Sequence, residues 1–268
     1  MKEQVDLKKL TNDLRKDIIE MLRYSKSGHP GGSLSCIDIL AVLYHKIMNI
    51  NLDENNNRID KFILSKGHAS PAYYTVLSSV GYIDKELLNT FRKSTSILEG
   101  HPSNKIPGVD SSSGSLGQGL SIANGMAIAK KVSNKPGNIY CLLGDGELQE
   151  GQVWEAFMSI NKFDLNNVIP IIDNNGLQID GTIDEIKKLS NIKEKIESFG
   201  LEVIEINGHD LIEIENALTY ATRTNKKVCI IAHTVKGKGV DFMENNVSWH
   251  GKALTEEDYI NAINCLEK

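Results

Sequence analysis

Gly144-Asp145-Gly146-Glu147 and, about thirty residues further on, Asn174-Asn175-Gly176-Leu177 decide how this chain folds. Each cluster follows a short apolar run, residues 138–143 (NIYCLL) before the first and 168–173 (VIPIID) before the second. Runs of that length suit buried strands. Between them, residues 152–160 place Val153, Trp154, Phe157 and Ile160 on one face of a helix. Strand, helix, strand leaves room for a parallel crossover. Both polar clusters then fall at carboxyl ends of strands, where parallel α/β sheets hold their ligands.

The two clusters carry the donors of a metal and phosphate site. Asp145 offers a hard carboxylate oxygen, Asn175 an amide oxygen, and the backbone carbonyl near Leu177 a third. Three protein oxygens leave about half of an octahedral Mg²⁺ sphere for phosphate and water. Gly144 and Gly146 let the backbone approach a diphosphate, and a following helix start favours anions. A lone GDG is usually only a strand-to-helix turn; the Asn pair at this spacing turns it into a ligand site. The pattern resembles the thiamine diphosphate fingerprint, GDG followed at about thirty residues by NN. That resemblance implies that Asp145 and Asn175 hold Mg²⁺, or another divalent cation such as Ca²⁺ or Mn²⁺, and that the metal holds the cofactor's diphosphate.

Composition narrows the class. The chain has 268 residues, 40% of them hydrophobic and 24% charged, an ordinary globular balance. A net charge of −5 gives no electrostatic case for nucleic acid or an anionic membrane surface. No apolar run approaches the roughly 20 residues of a membrane span. The amino terminus, MKEQVDLKKL, carries acids and lacks the apolar centre of a signal peptide. Cys36, Cys141, Cys229 and Cys265 are too scattered for a zinc site or a disulfide framework, so reduced thiols in a cytoplasmic protein are expected.

Taken in order, residues 7–27 read as an amphipathic helix that Gly28 stops. Ser27 to Ser33, SGHPGGS, reads as a shaped loop outside regular structure, followed by a buried helix over 35–48. Residues 49–60 form a polar, Asn-rich surface loop, and 62–64 a short strand running into SKGHAS. Pro71 opens a helix at its favoured first position. A shorter helix covers 84–93, a Gly/Ser loop 111–119 (SSSGSLGQG), and a small-residue helix 120–132. Beyond the Asn pair come a helix over 183–199 interrupted near Ser190-Asn191, a strand over 201–206, a helix over 211–222 and a strand over 228–233. A long loop from Lys236 contains Trp249-His250-Gly251, and a helix over 255–266 closes the chain with Thr255 and Asp258 as a capping box. Five strands alternating with helices, without a linker or repeat, predict one α/β domain over 1–268. Its core is a doubly wound parallel sheet with helices on both faces.

His29, His68, His101 and His250 each lie beside glycine in a loop. One such histidine is more often structural than functional; four flanking a phosphate-type motif suit a pocket for a polyhydroxylated substrate. His45, His209 and His233 are expected to be structural.

The motifs around those histidines resemble the transketolase family in its order: SGHPGGS at 27–33, SKGHAS at 65–70, GHPS at 100–103, SGSLGQG at 113–119, GDGELQEG at 144–151, DNNG at 173–176 and WHGK at 249–252. The match runs over nearly the whole chain. It implies the thiamine diphosphate-binding fold in its diphosphate-side form, with thiamine diphosphate and Mg²⁺ as cofactors. It further implies that His29 and His250 contact substrate and handle protons, His250 facing the cofactor as well. His68 and the backbone of Gly114, Ser115 and Leu116 would touch the thiamine, Gly146 the diphosphate, and Leu177 the metal. His101 would stand beside the reacting carbon, and Glu150 would link two active sites across a dimer. Ser115 stands where many members have proline. Trp249 replaces a small residue, and is expected to reshape the substrate mouth.

Thiamine catalysis also needs a glutamate on the aminopyrimidine ring, which the family supplies from a second, pyrimidine-binding domain. No segment here resembles that domain. The expectation is the N-terminal subunit of a split transketolase that moves a two-carbon ketol unit between sugar phosphates. It would form a heterotetramer with a C-terminal subunit. Two other readings stay open. A subunit of another thiamine enzyme is one. A 2-oxo acid dehydrogenase alpha subunit would not be expected to carry SGHPGG and SKGHAS. A deoxyxylulose-phosphate synthase shares more, including the flavour of KGKG at 236–239, but is normally one long chain. A non-catalytic half that only binds a partner is the other, although such a half need not keep Asp145, Asn175 and four loop histidines.

Overall fold

The computed structural model describes residues 5–53 and 58–268. Along β2 (Ile139–Gly144), Tyr140 and Leu142 join the apolar cluster on one side of the sheet, and Ile139, Cys141 and Leu143 the cluster on the other. A strand buried on both faces requires cover on both. β1 (Lys61–Leu64), β3 (Val168–Asn174), β4 (Glu202–Asn207) and β5 (Val228–His233) pair with it in the order β1-β2-β3-β5-β4, all parallel.

Helices divide between the faces as chain direction demands. The steps β1 to β2, β2 to β3 and β3 to β4 run one way across the sheet. Their helices α4 (Gln118–Val132), α5 (Gly151–Lys162) and α7 (Ile192–Ser198) bury Leu120, Phe157 and Ile196 in one cluster. The step from β4 back to β5 runs the other way, and its helix α8 (Leu211–Arg223) lies on the opposite face, as right-handed crossovers require. That face also takes α1 (Leu7–Ser25), α2 (Pro30–Val42), α3 (Ser70–Ser79) and α9 (Glu256–Leu266). The predicted α/β sheet with helices on both faces is therefore present, with all five predicted strands.

Four local expectations change. Residues 30–33 of SGHPGGS are helical: Pro30 sits in the first turn of α2, where its missing N–H costs nothing, and the Ser33 hydroxyl donates to the carbonyl of His29 at 2.7 Å. Gly31 is required there because a Cβ would lie 2.8 Å from the carbonyl oxygen of Trp249. Burial of the whole helix outweighs the low helical preference of two glycines. The helix expected over 84–93 shrinks to a 3₁₀ stretch, Lys85–Thr90, since only Leu88 of its residues is buried. The loop over 49–60 is pinned rather than free at its end. Buried Asp60 accepts from the N–H groups of Asn49 and Asn138, and buried Arg58 pairs with Asp110; residues 54–57 lie outside the described residues. Finally, the break near Ser190-Asn191 is complete, with α6 (Ile183–Lys187) and α7 separated by Asn191 in the left-handed region.

The capping box of Thr255 and Asp258 forms at the start of α9. All four cysteines are free, three of them buried. Among the described residues, no helix is long and apolar enough to cross a membrane.

Candidate functional site

Four strand ends meet around one cavity of about 360 Å³. β1 runs out into His68, β2 into Asp145, β3 into Asn175 and β5 into Lys236, and all four side chains line it with His29, His250 and the Gly114–Leu116 turn. Ligand-binding groups gather at this edge because every strand points its carboxyl end there.

Asp145 is 3% exposed, and its two oxygens accept the N–H groups of Gly146 at 2.7 Å and Gly176 at 2.5 Å. Burial and the nearby charge of Asp173 still push its pKa up to about 6. The site therefore lacks positive charge on this carboxylate, which a cation would supply.

Beneath lies an ion pair that sets the orientation of Asn175. Lys66 and Asp173 are 2% and 0% exposed and directly paired; the Lys66 ammonium also donates to the carbonyl of Gly32 at 2.9 Å. Burial alone would raise the Asp173 pKa, but Lys66, Ser35 and Thr234 hold it below the usual carboxylate range. Removing either charge would strand the other at a cost of about 3–5 kcal/mol. Asp173 also accepts from Asn175 Nδ2 at 3.3 Å. That bond fixes which end of the amide is the oxygen, leaving Oδ1 to face the N–H of Leu177 at 3.2 Å.

Three imidazoles form the other wall. The ring centroids of His29, His68 and His250 lie 5.3, 5.4 and 5.2 Å apart pairwise. Burial, with the charges of Arg92 and Lys236 and with His101, lowers His29 to about 4. Burial, Lys236, His29 and Lys66 lower His250 to about 3, and burial foremost holds His68 well below its ordinary value. All three are neutral at pH 7. The Lys236 ammonium donates to His250 Nδ1 at 2.9 Å, so Nε2 carries that ring's proton.

A measurable consequence follows for stability. Unfolded imidazoles titrate near ~6.5, so between that pH and about 4 the unfolded chain binds protons that folded His29 and His250 refuse. Their contribution to stability is full above ~6.5 and is lost as pH falls toward 4. Asp145, with a raised pKa, acts with the opposite sign but is common to both proteins compared. Thermal denaturation from pH 7 to pH 4 is expected to show a smaller fall in Tm for the His29→Gln/His250→Gln variant than for wild type. Parallel profiles would remove this assignment.

Of the residues singled out in the sequence, His29, His68, Gly114, Leu116, Asp145, Gly146, Glu150, Asn175, Leu177 and His250 line the cavity. Glu150 stands exposed at its rim. Ser115 is exposed and does not line it. His101 stands on the outer side of Gly114, in a neighbouring cleft with Arg92, Lys93 and Ser27. The indole of Trp249 is buried against Phe242, with Lys252 over its ring at 4.1 Å, so it packs behind the loop and does not shape the mouth as expected. His209 and His233 are held by Asp38 and Glu205, and His45 by Ser79, as structural groups.

Sequence reasoning missed Lys66, Glu147, Gln178 and Lys236, which also line the cavity. Lys236 was reachable by the logic that found Asp145, since it follows the end of β5. It donates to the Leu177 carbonyl at 3.0 Å, and burial with the charge of Lys66 lowers it to about 8.

The donors present fit the implied cofactor and metal. Asp145, Asn175 Oδ1 and the Leu177 carbonyl are hard oxygens, and Lys236 adds a cation for phosphate. Among the described residues no three His, Cys, Asp or Glu side chains cluster as a self-sufficient metal site, so a cation here would depend on phosphate oxygens as well. His29 Nδ1 and Gln178 Nε2, on residues that line the cavity, are buried without a hydrogen-bond partner among the described residues, as expected where a polar ligand completes the site.

Comparison with known proteins agrees with this geometry. The family model for the transketolase thiamine diphosphate binding domain matches residues 7–265. An apulose-4-phosphate transketolase subunit of Phocaeicola vulgatus is 40% identical over 251 residues, covering 93% of this chain and 89% of its own. The 6-deoxy-6-sulfo-D-fructose transketolase subunit SqwG of Clostridium sp. (strain MSTE9) is 40% identical, covering 99% and 98%. Among solved structures, transketolase from Campylobacter jejuni superposes with a TM-score of 0.90 at 38% identity, over 97% of this chain. The chain spans 42% of the length of that protein.

Proposed function

The chain belongs to the transketolase family, in its thiamine diphosphate-binding domain, and from that premise we propose that it is the diphosphate-binding subunit of a split transketolase. In this reading residues 1–268 form one domain. With a second subunit it transfers a two-carbon ketol unit from a ketose phosphate to an aldose phosphate. The observation that carries the proposal is the meeting of three neutral imidazoles with Asp145, Asn175 and Lys236 in one cavity.

Thiamine diphosphate, when bound, supplies the carbon nucleophile that carries the two-carbon unit. Asp145, Asn175 and the Leu177 carbonyl hold its Mg²⁺, and Ca²⁺ or Mn²⁺ would satisfy the same oxygens. Gly146 and Lys236 face the diphosphate. His68, with the backbone of Gly114 and Leu116, would contact the thiamine, and Ser115, outside the lining, takes no part. His29 and His250, neutral at pH 7, accept or donate at substrate hydroxyls and carbonyl. His101, from the neighbouring cleft, would stand beside the reacting carbon, and Glu150 at the rim would link two active sites across a dimer.

Relatives that match nearly end to end carry the name of a transketolase subunit, which supports dependence on a partner chain carrying the pyrimidine-binding glutamate. The purified chain alone is expected to give no ketol transfer above background. Mixing it with that partner should restore transfer and yield a complex of two copies of each. Turnover by this chain alone would overturn the split-enzyme reading.

A further inference from the structure

Glu147 follows Asp145 by two residues, and its side chain folds back over the end of β2 toward the loops after β1 and before α4. It is 2% exposed. One carboxylate oxygen accepts the N–H of Gly117 at 2.8 Å and the hydroxyl of Ser65; the other accepts the N–H of Gly144 at 3.0 Å. Ser65 in turn accepts from the N–H of Gly119 at 3.2 Å. A single side chain thus ties together the residue after β1, the end of β2 and Gly117, the residue before α4.

The first turn of α4 depends on that tie. Gly117 precedes the helix and offers no capping side chain, so its orphan N–H groups take their acceptors from elsewhere. A carboxylate at a helix amino terminus is also favoured by the helix dipole. A Cβ at Gly119 would collide with Ser65, so only glycine lets the helix start seat this closely. Directly before it runs the Gly114–Leu116 turn, held at its last carbonyl by Gln152 Nε2 at 3.1 Å and backed by the ring of His101.

We propose that Glu147 is a positioning residue that latches the Gly114–Leu116 turn to the Asp145 turn, so that the two walls of the cofactor cavity keep a fixed separation. The inference rests on the proposed function, because it assigns the latch to cofactor affinity. Glutamine is the decisive substitution. Its amide has one accepting oxygen, so whichever way it turns, its NH₂ meets a backbone N–H that cannot accept, that of Gly144 or that of Gly117.

The test titrates thiamine diphosphate, with Mg²⁺ fixed, into the full chain together with its partner subunit. In Glu147→Gln the cofactor concentration for half-saturation is expected to rise on the order of 10- to 100-fold. At saturating cofactor, kcat should stay within about threefold of wild type, since the latch touches no reacting atom. In the chain without cofactor, amide hydrogen exchange over residues 113–119 should quicken while the sheet exchanges as in wild type. Ser65→Ala, which leaves both backbone bonds of Glu147 in place, should shift half-saturation in the same direction by less. A Glu147→Gln variant with lower Tm but wild-type half-saturation and wild-type exchange at 113–119 would reduce Glu147 to a core residue and overturn the inference. Failure of wild type itself to bind thiamine diphosphate would instead overturn the proposed function.

Discussion

Asp145→Ala is expected to lose metal-dependent binding of thiamine diphosphate, with affinity down at least ~100-fold. Changes to groups that merely orient metal ligands already cost about 10- to 100-fold, and Asp145 is the only charged member of the proposed donor set. Asn175 Oδ1 and the Leu177 carbonyl are neutral, so without Asp145 a divalent cation would meet dipoles alone, close to the Lys236 ammonium. The diphosphate would then lose the ion that joins it to the sheet edge. Fold should survive, because the Asp145 charge is held at some cost, as its pKa of about 6 shows. The measurement is titration calorimetry at fixed Mg²⁺ with the partner subunit present, with circular dichroism as the control. A variant that folds and binds like wild type would take Asp145 out of the metal site.

The framework behind that carboxylate was legible because it rests on short-range pattern. The runs at 138–143 and 168–173 alternate sides between two apolar clusters, and burial on both faces follows from their continuous hydrophobicity. Asp145 and Asn175 could be placed at strand ends for the same reason. What could not be read depends on which strands become neighbours. β5 inserts beside β3 although β4 precedes it, and that swap brings Lys236 and Thr234 against Leu177 and Asp173. Strand order therefore decides that Lys236, whose place after β5 could be read, meets Leu177, and that Lys66 after β1 meets Asp173 on β3. The SGHPGGS segment misled for a different reason. Local preference reads Gly31 and Gly32 as loop, whereas packing beneath Trp249 and beside Lys66 and His68 makes them the start of a buried helix.

Packing also separates the four loop histidines, which the sequence presents as equivalents. His29 and His250 come from opposite ends of the chain, yet their rings meet edge to face at a centroid distance of 5.4 Å, with His68 5.3 and 5.2 Å from them. His101 lies outside this group, across the Gly114 turn. The distinction matters because a proton-handling group must be neutral enough to accept and close enough to reach the substrate. His29 and His250 meet the first condition through burial and the surrounding cations, and both line the cavity, as the second requires in the proposed reading.

His29→Ala and His250→Ala are therefore expected to lower kcat/KM for ketol transfer by roughly 10²–10⁴, the range for a positioned proton donor or acceptor. Cofactor affinity should hold within about tenfold for His29→Ala, because His29 is not among the oxygens and cations proposed to hold the metal and diphosphate. His250→Ala should weaken cofactor binding somewhat more, since Lys236 then loses the imidazole that orients its ammonium beside Leu177. The two losses should not add in the double variant, as expected of groups that act on one substrate from adjoining positions. Steady-state rates at saturating cofactor, with ketose phosphate varied, separate these effects from cofactor loss. Single variants with wild-type kcat/KM would return both imidazoles to a packing role, and the cavity would then bind the cofactor while leaving proton transfer to groups from the partner chain.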